Sequence, residues 1–331
     1  MGREFIASRY PLPAEDHFQQ VDENSWLIGG FFYTIGEAPS PAPKAYPLED
    51  TSGYPRKGPK FPHGDMSLVL FSGVHEAVWS IGKATLKIKR YPSQHITREH
   101  ANIEYVKSKG DVGFLTPDVL YHTESDFGYL IVLQESWGEN LGEESWGKTL
   151  GEKWPKLSLD EKLHFADKVA SAYKTMAEWT SDKICGGDGN QIASPPLYIL
   201  DDDEPDHSHE KLHPLCKKIG MESSTFVFND NWPSPLAVIV YGPDEPIRLR
   251  CWFNAGFVPK DCIRTELCCT NYWDLPPPCD ISHEWRMLLQ EHLRGEGFGV
   301  MLEYLKSRVR SNTDAKDSPR NTEASGTPST E

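Results

Sequence analysis

The chain has 331 residues, with 34 Lys+Arg against 49 Asp+Glu, a formal charge of −15 and a mean hydropathy of −0.53. That length suits one large domain or two small ones and is enough to bury a full core. The acidity excludes a generic nucleic-acid binder, whose backbone contacts need a net basic surface, and the lack of a run of about 18 apolar residues argues against a membrane-spanning helix.

The start, MGREFIASRY, lacks the apolar core of a secretory signal, and Ile6 stands where a myristoylation motif needs Ser or Thr. The 7 cysteines are odd in number and form no CxxC pair. They predict free thiols in a reducing cytoplasm, with neither a disulfide framework nor a zinc ribbon.

Residues 1–65 read as a Pro-rich arm lying over the body. Seven prolines fall between Glu37 and Asp65, which forbids a helix or central strand there, while residues 18–35 hold a short apolar patch. Strand-like composition follows at SLVLFS (67–72), EAVWSI (76–81) and ATLKIK (84–89). In the last of these, Leu86 and Ile88 face one side and Lys87 and Lys89 the other. Thr97 is the expected N-cap of a helix running to about Ser108, with Gly110 as its stop and Glu99, Ile103 and Val106 on one face. YLIVLQ (129–134) is a further strand.

Residues 135–143 (ESWGENLGE) and 144–152 (ESWGKTLGE) agree at seven of nine positions. Two short copies do not make a solenoid, so a tandem duplication in a surface connection is the simpler account. Ser158 and Glu161 form a capping box ahead of a long helix with Leu163, Ala166, Val169, Tyr173 and Met176 on its apolar face. The run DDDEPDHSHE (201–210), with His207, His209 and His213 in or near it, reads as a solvated loop more readily than as a metal site. TFVF (225–228) and LAVIV (236–240) are strands, and IRLRCWF (247–253) is the hairpin partner of the second. Residues 281–293 form a helix with Trp285, Leu288, Leu289 and Leu293 on one side. Residues 311–331, rich in Ser, Thr, Asn and Pro, are expected to be disordered.

Antiparallel strands first and helices afterwards predict an α+β fold of two lobes. The order of elements and several motifs resemble the aminoglycoside phosphotransferase and choline kinase family, with its protein-kinase-like fold, and the fungal branch most of all. The resemblance covers about residues 66–306. ATLKIK resembles the strand whose lysine holds nucleotide phosphates, with Lys87 the first choice and Lys89 the second. Glu99 matches the glutamate that pairs with that lysine. SWGKTLGEKW (145–154) resembles the hinge, so the first repeat copy is the inserted one. ICGGDGNQI (184–192) resembles a loop of the fungal branch and reads as a turn, since no βαβ context makes its glycines a Rossmann loop. FNDNWPSPLAV (228–238) stands where the family has HGDLHPGNILV, with Asp230 on the catalytic aspartate and Pro233 on the motif proline. In RCWFNAGFVP (250–259), Trp252 and AGFVP (255–259) match the family's IIDWE-x-AGFVP.

The domains implied are the arm at 1–65, a small nucleotide-binding-type lobe at 66–134, a hinge connection at 135–152, a helical lobe at 153–306 and the tail at 311–331. The cofactors implied are ATP and Mg²⁺.

The departures are chemical. Phe228 replaces the motif histidine, Pro235 the metal-ligand asparagine, Cys251 the metal-ligand aspartate and Phe253 the glutamate after it. Mg²⁺ needs hard oxygen donors; proline offers none and a thiol is soft. A degenerate, pseudokinase-like member with impaired ATP-Mg chemistry is therefore the leading expectation. The alternatives are an active small-molecule O-phosphotransferase with ligands relocated to Asp244 or Glu245, and a non-catalytic interaction module working through the arm and acidic loops. The acidic run suits a small hydroxylated or cationic molecule as partner. His63-Gly64-Asp65 is a decoy, because it precedes the lysine strand. No GxSxG elbow occurs, and Cys251 is expected to be an inert thiol.

Overall fold

The computed structural model describes residues 18–22, 25–28, 31–34, 66–71, 76–81, 84–89, 91, 93–125, 128–134, 148–193, 206–218, 220, 224–269 and 283–301. The arrangement is α+β, an antiparallel sheet with one helix against it followed by a mainly helical part. The Pro-rich stretch 37–65, the HGD decoy, the first repeat copy, residues 201–205 and the tail fall outside the described residues.

The N-terminal region departs from the irregular arm expected of it. Phe18–Asp22 (β1), Ser25–Ile28 (β2) and Phe31–Thr34 (β3) pair antiparallel in the order β1-β2-β3. Aromatic and β-branched residues interrupted by tight links are the composition of such a meander.

The main sheet follows. Met66–Phe71 (β4), Glu76–Ile81 (β5), Ala84–Lys89 (β6), Asp118–Ser125 (β7) and Gly128–Gln134 (β8) form one antiparallel sheet in the order β4-β5-β6-β8-β7. Strand β7 was not expected from sequence. Its residues DVLYHTES carry too many polar side chains to stand out, and what holds it is its register against β8, Val119↔Leu133 to Ser125↔Gly128. Helix α1 (Glu99–Lys107) lies between β6 and β7 in the chain and buries Glu99, Asn102, Ile103 and Val106. Gly110, at φ 82, ends its run as expected. Thr97 does not cap it. The N-cap is Arg98, with no side-chain cap bond, and the Thr97 hydroxyl instead donates to Asp188 Oδ1 at 2.5 Å. A tertiary acceptor has taken the hydroxyl that a local cap would have used.

Lys148–Thr149 (β9) and all of Leu150–Lys153 (α2) but Lys153 come from the second repeat copy. Thr149 and Glu152 form a capping box over α2. Helix α3 (Leu159–Met176) carries the expected Ser158/Glu161 box, which satisfies orphan N–H groups of its first turn. Its buried face is Phe165, Ala166, Val169, Ala170, Ala172, Tyr173 and Met176, while Leu163 is 37% exposed and falls off that face. Thr180–Ser181 (β10), Phe226–Asn229 (β11) and Gly256–Val258 (β14) make one small sheet, and β9, Val238–Val240 (β12) and Arg248–Leu249 (β13) another. Only 248–249 of the expected partner strand 247–253 pair with β12; residues 250–253 leave the ladder and enter the candidate site. Helix α4 (His209–Lys218) begins inside the acidic run, α5 (Cys262–Cys269) was not anticipated, and α6 (Glu284–Gly295) buries Trp285, Leu289 and Leu293 as its spacing predicts.

Helices α3 and α6 form the heart of the larger part. Lys162 Nζ reaches Glu284 Oε2 at 2.7 Å, Trp154 Nε1 donates to the same oxygen at 2.9 Å, and the Trp154 and Trp285 rings meet edge-on at 5.3 Å. The core continues across to Ile131 and Leu133 of the main sheet, so both parts share one apolar interior. Among the described residues, no helix is long and apolar enough to cross a membrane.

The α3 box supplies a stability test. Replacing Ser158 with Ala is expected to lower unfolding free energy by about 1 kcal/mol, read as a lower urea midpoint at unchanged slope.

Candidate functional site

Strand β6 positions the first side chain. Lys87 pairs in register with Ile131, whose side chain belongs to the shared core, so Lys87 points inward while Leu86 and Ile88 are buried on the opposite face. Its ammonium meets Glu99 Oε1 of α1 at 2.7 Å, with side chains 8% and 3% exposed. It also approaches the Arg250 carbonyl at 3.5 Å. Burial alone would lower the Lys87 pKa; Glu99 outweighs it and holds the ammonium above its ordinary value. Glu99 Oε1 accepts a second bond, from the Trp252 N–H at 3.2 Å. The sequence-level pairing of Lys87 with Glu99 is present in the structure. Lys89, the second choice, makes a different contact with the same crossing segment: its Nζ sits 3.0 Å from the centre of the Phe253 ring, a cation–π contact.

The loop after β11 presents Asp230, which is 1% exposed. Its Oδ1 accepts the Tyr173 hydroxyl at 2.6 Å and the Trp232 N–H at 3.1 Å. Asn231 holds φ 53, a left-handed conformation that Asn tolerates better than most residues. Its N–H donates to Asn229 Oδ1 at 2.6 Å, and its side-chain Nδ2 to the Asn254 carbonyl at 2.9 Å. The loop is therefore tied both to itself and to the 250–256 segment. Burial pushes the Asp230 carboxyl up to about 6, against the bonds from Tyr173 and the Trp232 N–H that favour its ionised form. Tyr173 itself is raised well above the usual phenol range by burial and by Asp230. The sequence placed Tyr173 on an apolar helical face; its hydroxyl was the part that periodicity could not see.

Replaced and matching motif positions alike have structural roles. Phe228 is fully buried and packs on Tyr105 at 4.8 Å, Phe257 at 5.3 Å and Trp179 at 5.8 Å. Trp252 is buried, donates through Nε1 to the Leu249 carbonyl at 2.8 Å and stacks on Phe114 at 6.2 Å. In AGFVP, a Cβ on Gly256 would lie 2.6 Å from the Cys185 carbonyl oxygen, so only glycine fits where β14 crosses that loop. Pro235 is buried and opens a 3₁₀ turn, 235–237, capped by Ser234.

Cys251 is partly covered, with Lys87, Arg250, Glu99 and Asp230 all within its electrostatic reach. Desolvation pushes its thiol up to about 11, against the pull of Lys87 and Arg250. The thiol is therefore neutral at pH 7, neither nucleophile nor anionic ligand. The residues at the two positions do not fit Mg²⁺: one is a neutral soft thiol and the other has no side-chain donor.

Asp244 and Glu245 are the alternative ligand positions. Both are exposed in the turn between β12 and β13. That turn is held to the middle of α3, where His164 Nε2 binds the Pro243 carbonyl at 2.7 Å and Lys168 Nζ binds the Glu245 carbonyl at 2.8 Å. Tyr173, which marks the depth of Asp230, lies five residues on from Lys168, about 8 Å along the helix axis.

The histidines near the acidic run have protein partners. His207 Nδ1 lies 3.0 Å from the Ile192 carbonyl, His209 Nδ1 accepts the Ile184 N–H at 3.0 Å, and the His209 and His213 rings stack at 4.8 Å. Among the described residues, no three His, Cys, Asp or Glu side chains converge as a metal site would require.

Neither a protein-family model nor a curated protein matches the sequence. Solved structures similar to it include the streptomycin–ATP ternary complex of APH(2")-IIa, at 14% identity over 76% of this chain and 83% of that one, with a TM-score of 0.44. Another is a thermostable mutant of the aminoglycoside phosphotransferase APH(4)-Ia in its apo form, at 15% identity over 76% and 89%, TM-score 0.46. A third is the aminoglycoside phosphotransferase APH(3'')-Id from Streptomyces rimosus, at 12% identity over 75% and 93%, TM-score 0.46. At such scores the reading of the site rests on this chain's own residues.

Two tests follow from the geometry. Lys87→Met is expected to cost about 3–5 kcal/mol by leaving Glu99 buried and unpaired, and adding Glu99→Gln should recover much of it. Chemical denaturation of the single and double variants checks this. For Asp230, the folded pKa lies above the unfolded value of 3.8. The native state then binds more protons between those values, so this group's contribution to stability is full below about 4 and lost as pH rises through about 6. Asp230→Asn should stabilise the protein above pH 6, by on the order of 1–3 kcal/mol, with the gain vanishing toward pH 4. Melting temperatures of both proteins across that range give the answer.

Proposed function

We propose that the chain is a degenerate aminoglycoside-phosphotransferase-like protein of kinase-like layout that does not perform Mg²⁺-dependent phosphoryl transfer. The observation that carries this reading is Cys251. A neutral thiol within the electrostatic reach of Lys87 stands at the position where the resemblance calls for a carboxylate to hold the metal. Phosphoryl transfer in such a fold depends on positioning and on charge neutralisation by metal held on oxygen, and the donor set here lacks that oxygen.

The rest of the site agrees with this reading. Lys87 is engaged by Glu99 and approaches a backbone carbonyl, and Asp230 already accepts the Tyr173 hydroxyl where an active enzyme would present its base to a substrate hydroxyl. Lys87 and Asp230 then persist as structural residues: one fastens the main sheet to α1, the other α3 to the β11 loop.

The test compares the protein with its Cys251→Asp variant. Wild type with ATP or GTP is expected to show no Mg²⁺-dependent rise in melting temperature and no ATP turnover on a panel of hydroxylated small molecules. Cys251→Asp restores one hard ligand at that position and should introduce a Mg²⁺-dependent rise. Turnover by wild type that Asp230→Asn abolishes would overturn the reading.

A further inference from the structure

Helix α1 begins without a local cap. Its N-cap residue, Arg98, makes no side-chain cap bond, and the Thr97 hydroxyl goes to Asp188. One orphan N–H of the first turn, that of His100, is met from the sheet instead: it donates to the Tyr129 hydroxyl of β8 at 3.2 Å. The same hydroxyl lies 2.8 Å from His100 Nδ1. Tyr129 is 2% exposed, and burial holds its phenol above the usual range, so it keeps its proton. Its oxygen accepts the N–H, so its own hydrogen goes to Nδ1. The network thereby assigns His100 the neutral tautomer with the proton on Nε2. The neutral ring completes the cap.

The other contact of that ring is with the edge strand. His100 stacks on His122 of β7, ring centres 3.6 Å apart and planes 11° from parallel. His100 is half-buried and His122 exposed. A proton on Nδ1 would turn two donors onto the Tyr129 oxygen. The Tyr129 hydrogen would then lose its acceptor in a buried place, where an unmade bond is costly. With both rings charged, two cations would also meet face to face. The charged groups around the cluster come from three elements. Glu104 of α1, Glu124 of β7 and Asp188 of loop 184–192 favour the charged ring, while Glu99 and Arg98 act on Tyr129. Most of these are already engaged: Glu124 by Arg98, Asp188 by Thr97 and Asn190, and Glu99 by Lys87. Burial first and His122 second outweigh the carboxylates and hold His100 below its ordinary value.

We propose that His100, bonded to Tyr129 and stacked on His122, is a proton-sensitive cap on α1. Neutral, it fastens the first turn of the helix to the sheet; protonated, it releases that turn together with the neighbouring Glu99. Fastening is full above the ordinary histidine value of 6.5 and weakens as pH falls below it. The inference goes beyond the proposed function and stands whether or not a nucleotide binds.

Amide hydrogen exchange over residues 99–107, compared at matched pH between the full-length protein and its variants, reads the cap. His100→Asn keeps an acceptor near the Nδ1 position and does not titrate. His122→Phe keeps a ring on His100 and removes the second charge. At about pH 8 all three proteins should exchange α1 alike, and at about pH 5.5 wild type should exchange it about threefold or more faster than His100→Asn, with His122→Phe slower than wild type. Helix α3, outside the cluster, reports general acid unfolding and should not differ among them. Tyr129→Phe removes the cap itself and should speed α1 at both pH values. Equal α1 exchange in wild type and His100→Asn at the lower pH overturns the proposal, as does a parallel acceleration of α3. Tyr129→Phe exchanging like wild type at the higher pH overturns it too. Should His100→Asn be loosened already at the higher pH, wild type against His122→Phe decides by the same readings.

Discussion

A buried ion pair, Lys87 with Glu99, organises the molecule. Two charges taken out of water cost several kcal/mol each, and their attraction repays this only when the remaining hydrogen-bond capacity is also met. Here it is met by backbone: the Arg250 carbonyl approaches the lysine and the Trp252 N–H binds the glutamate. The pair is thereby bound to the 250–252 segment, which cannot shift without stranding a charge. Sheet, helix and crossing segment are held at one point by an interaction that is strongly destabilising only when broken.

The same logic extends around the site. Asp230 is buried with Tyr173 and the Trp232 N–H as donors, Asn231 ties its loop to Asn254, and Asn102 ties α1 to Trp252, Ala255 and Gly187. These polar groups are turned inward onto protein. Such bonds fix the loop against its neighbours, although Asn229 Nδ2 in the same loop is buried with no hydrogen-bond partner among the described residues. The site is also a poor setting for Mg²⁺, whose hard-oxygen demand neither a neutral thiol nor a proline meets.

Much of this was legible from the residues. The β5 and β6 strands, the α3 capping box and the apolar face of α6 follow from local pattern, because period and cap chemistry are local properties, whereas the pairing of Lys87 with Glu99 was what the family resemblance implied. Strand β7 was not legible, since its polar sequence is held by register rather than by alternation. Thr97 misled for a related reason: its hydroxyl had two uses, and the distant Asp188 won over the local cap. Asn102 and the Tyr173 hydroxyl carry no sequence signal, because an amide in a helix and a tyrosine in an apolar stripe look the same whatever they touch.

The sequence by itself determined the α+β order and the residues available for chemistry, for these are matters of composition and spacing. Tertiary structure alone decided what those residues do. Lys87 and Glu99 are 12 positions apart, and Glu99 and Trp252 are 153 apart. Burial sets the Asp230 carboxyl near 6 and the Cys251 thiol near 11. Both effects arise from desolvation and from contacts between segments remote in the chain, which only the folded packing brings together.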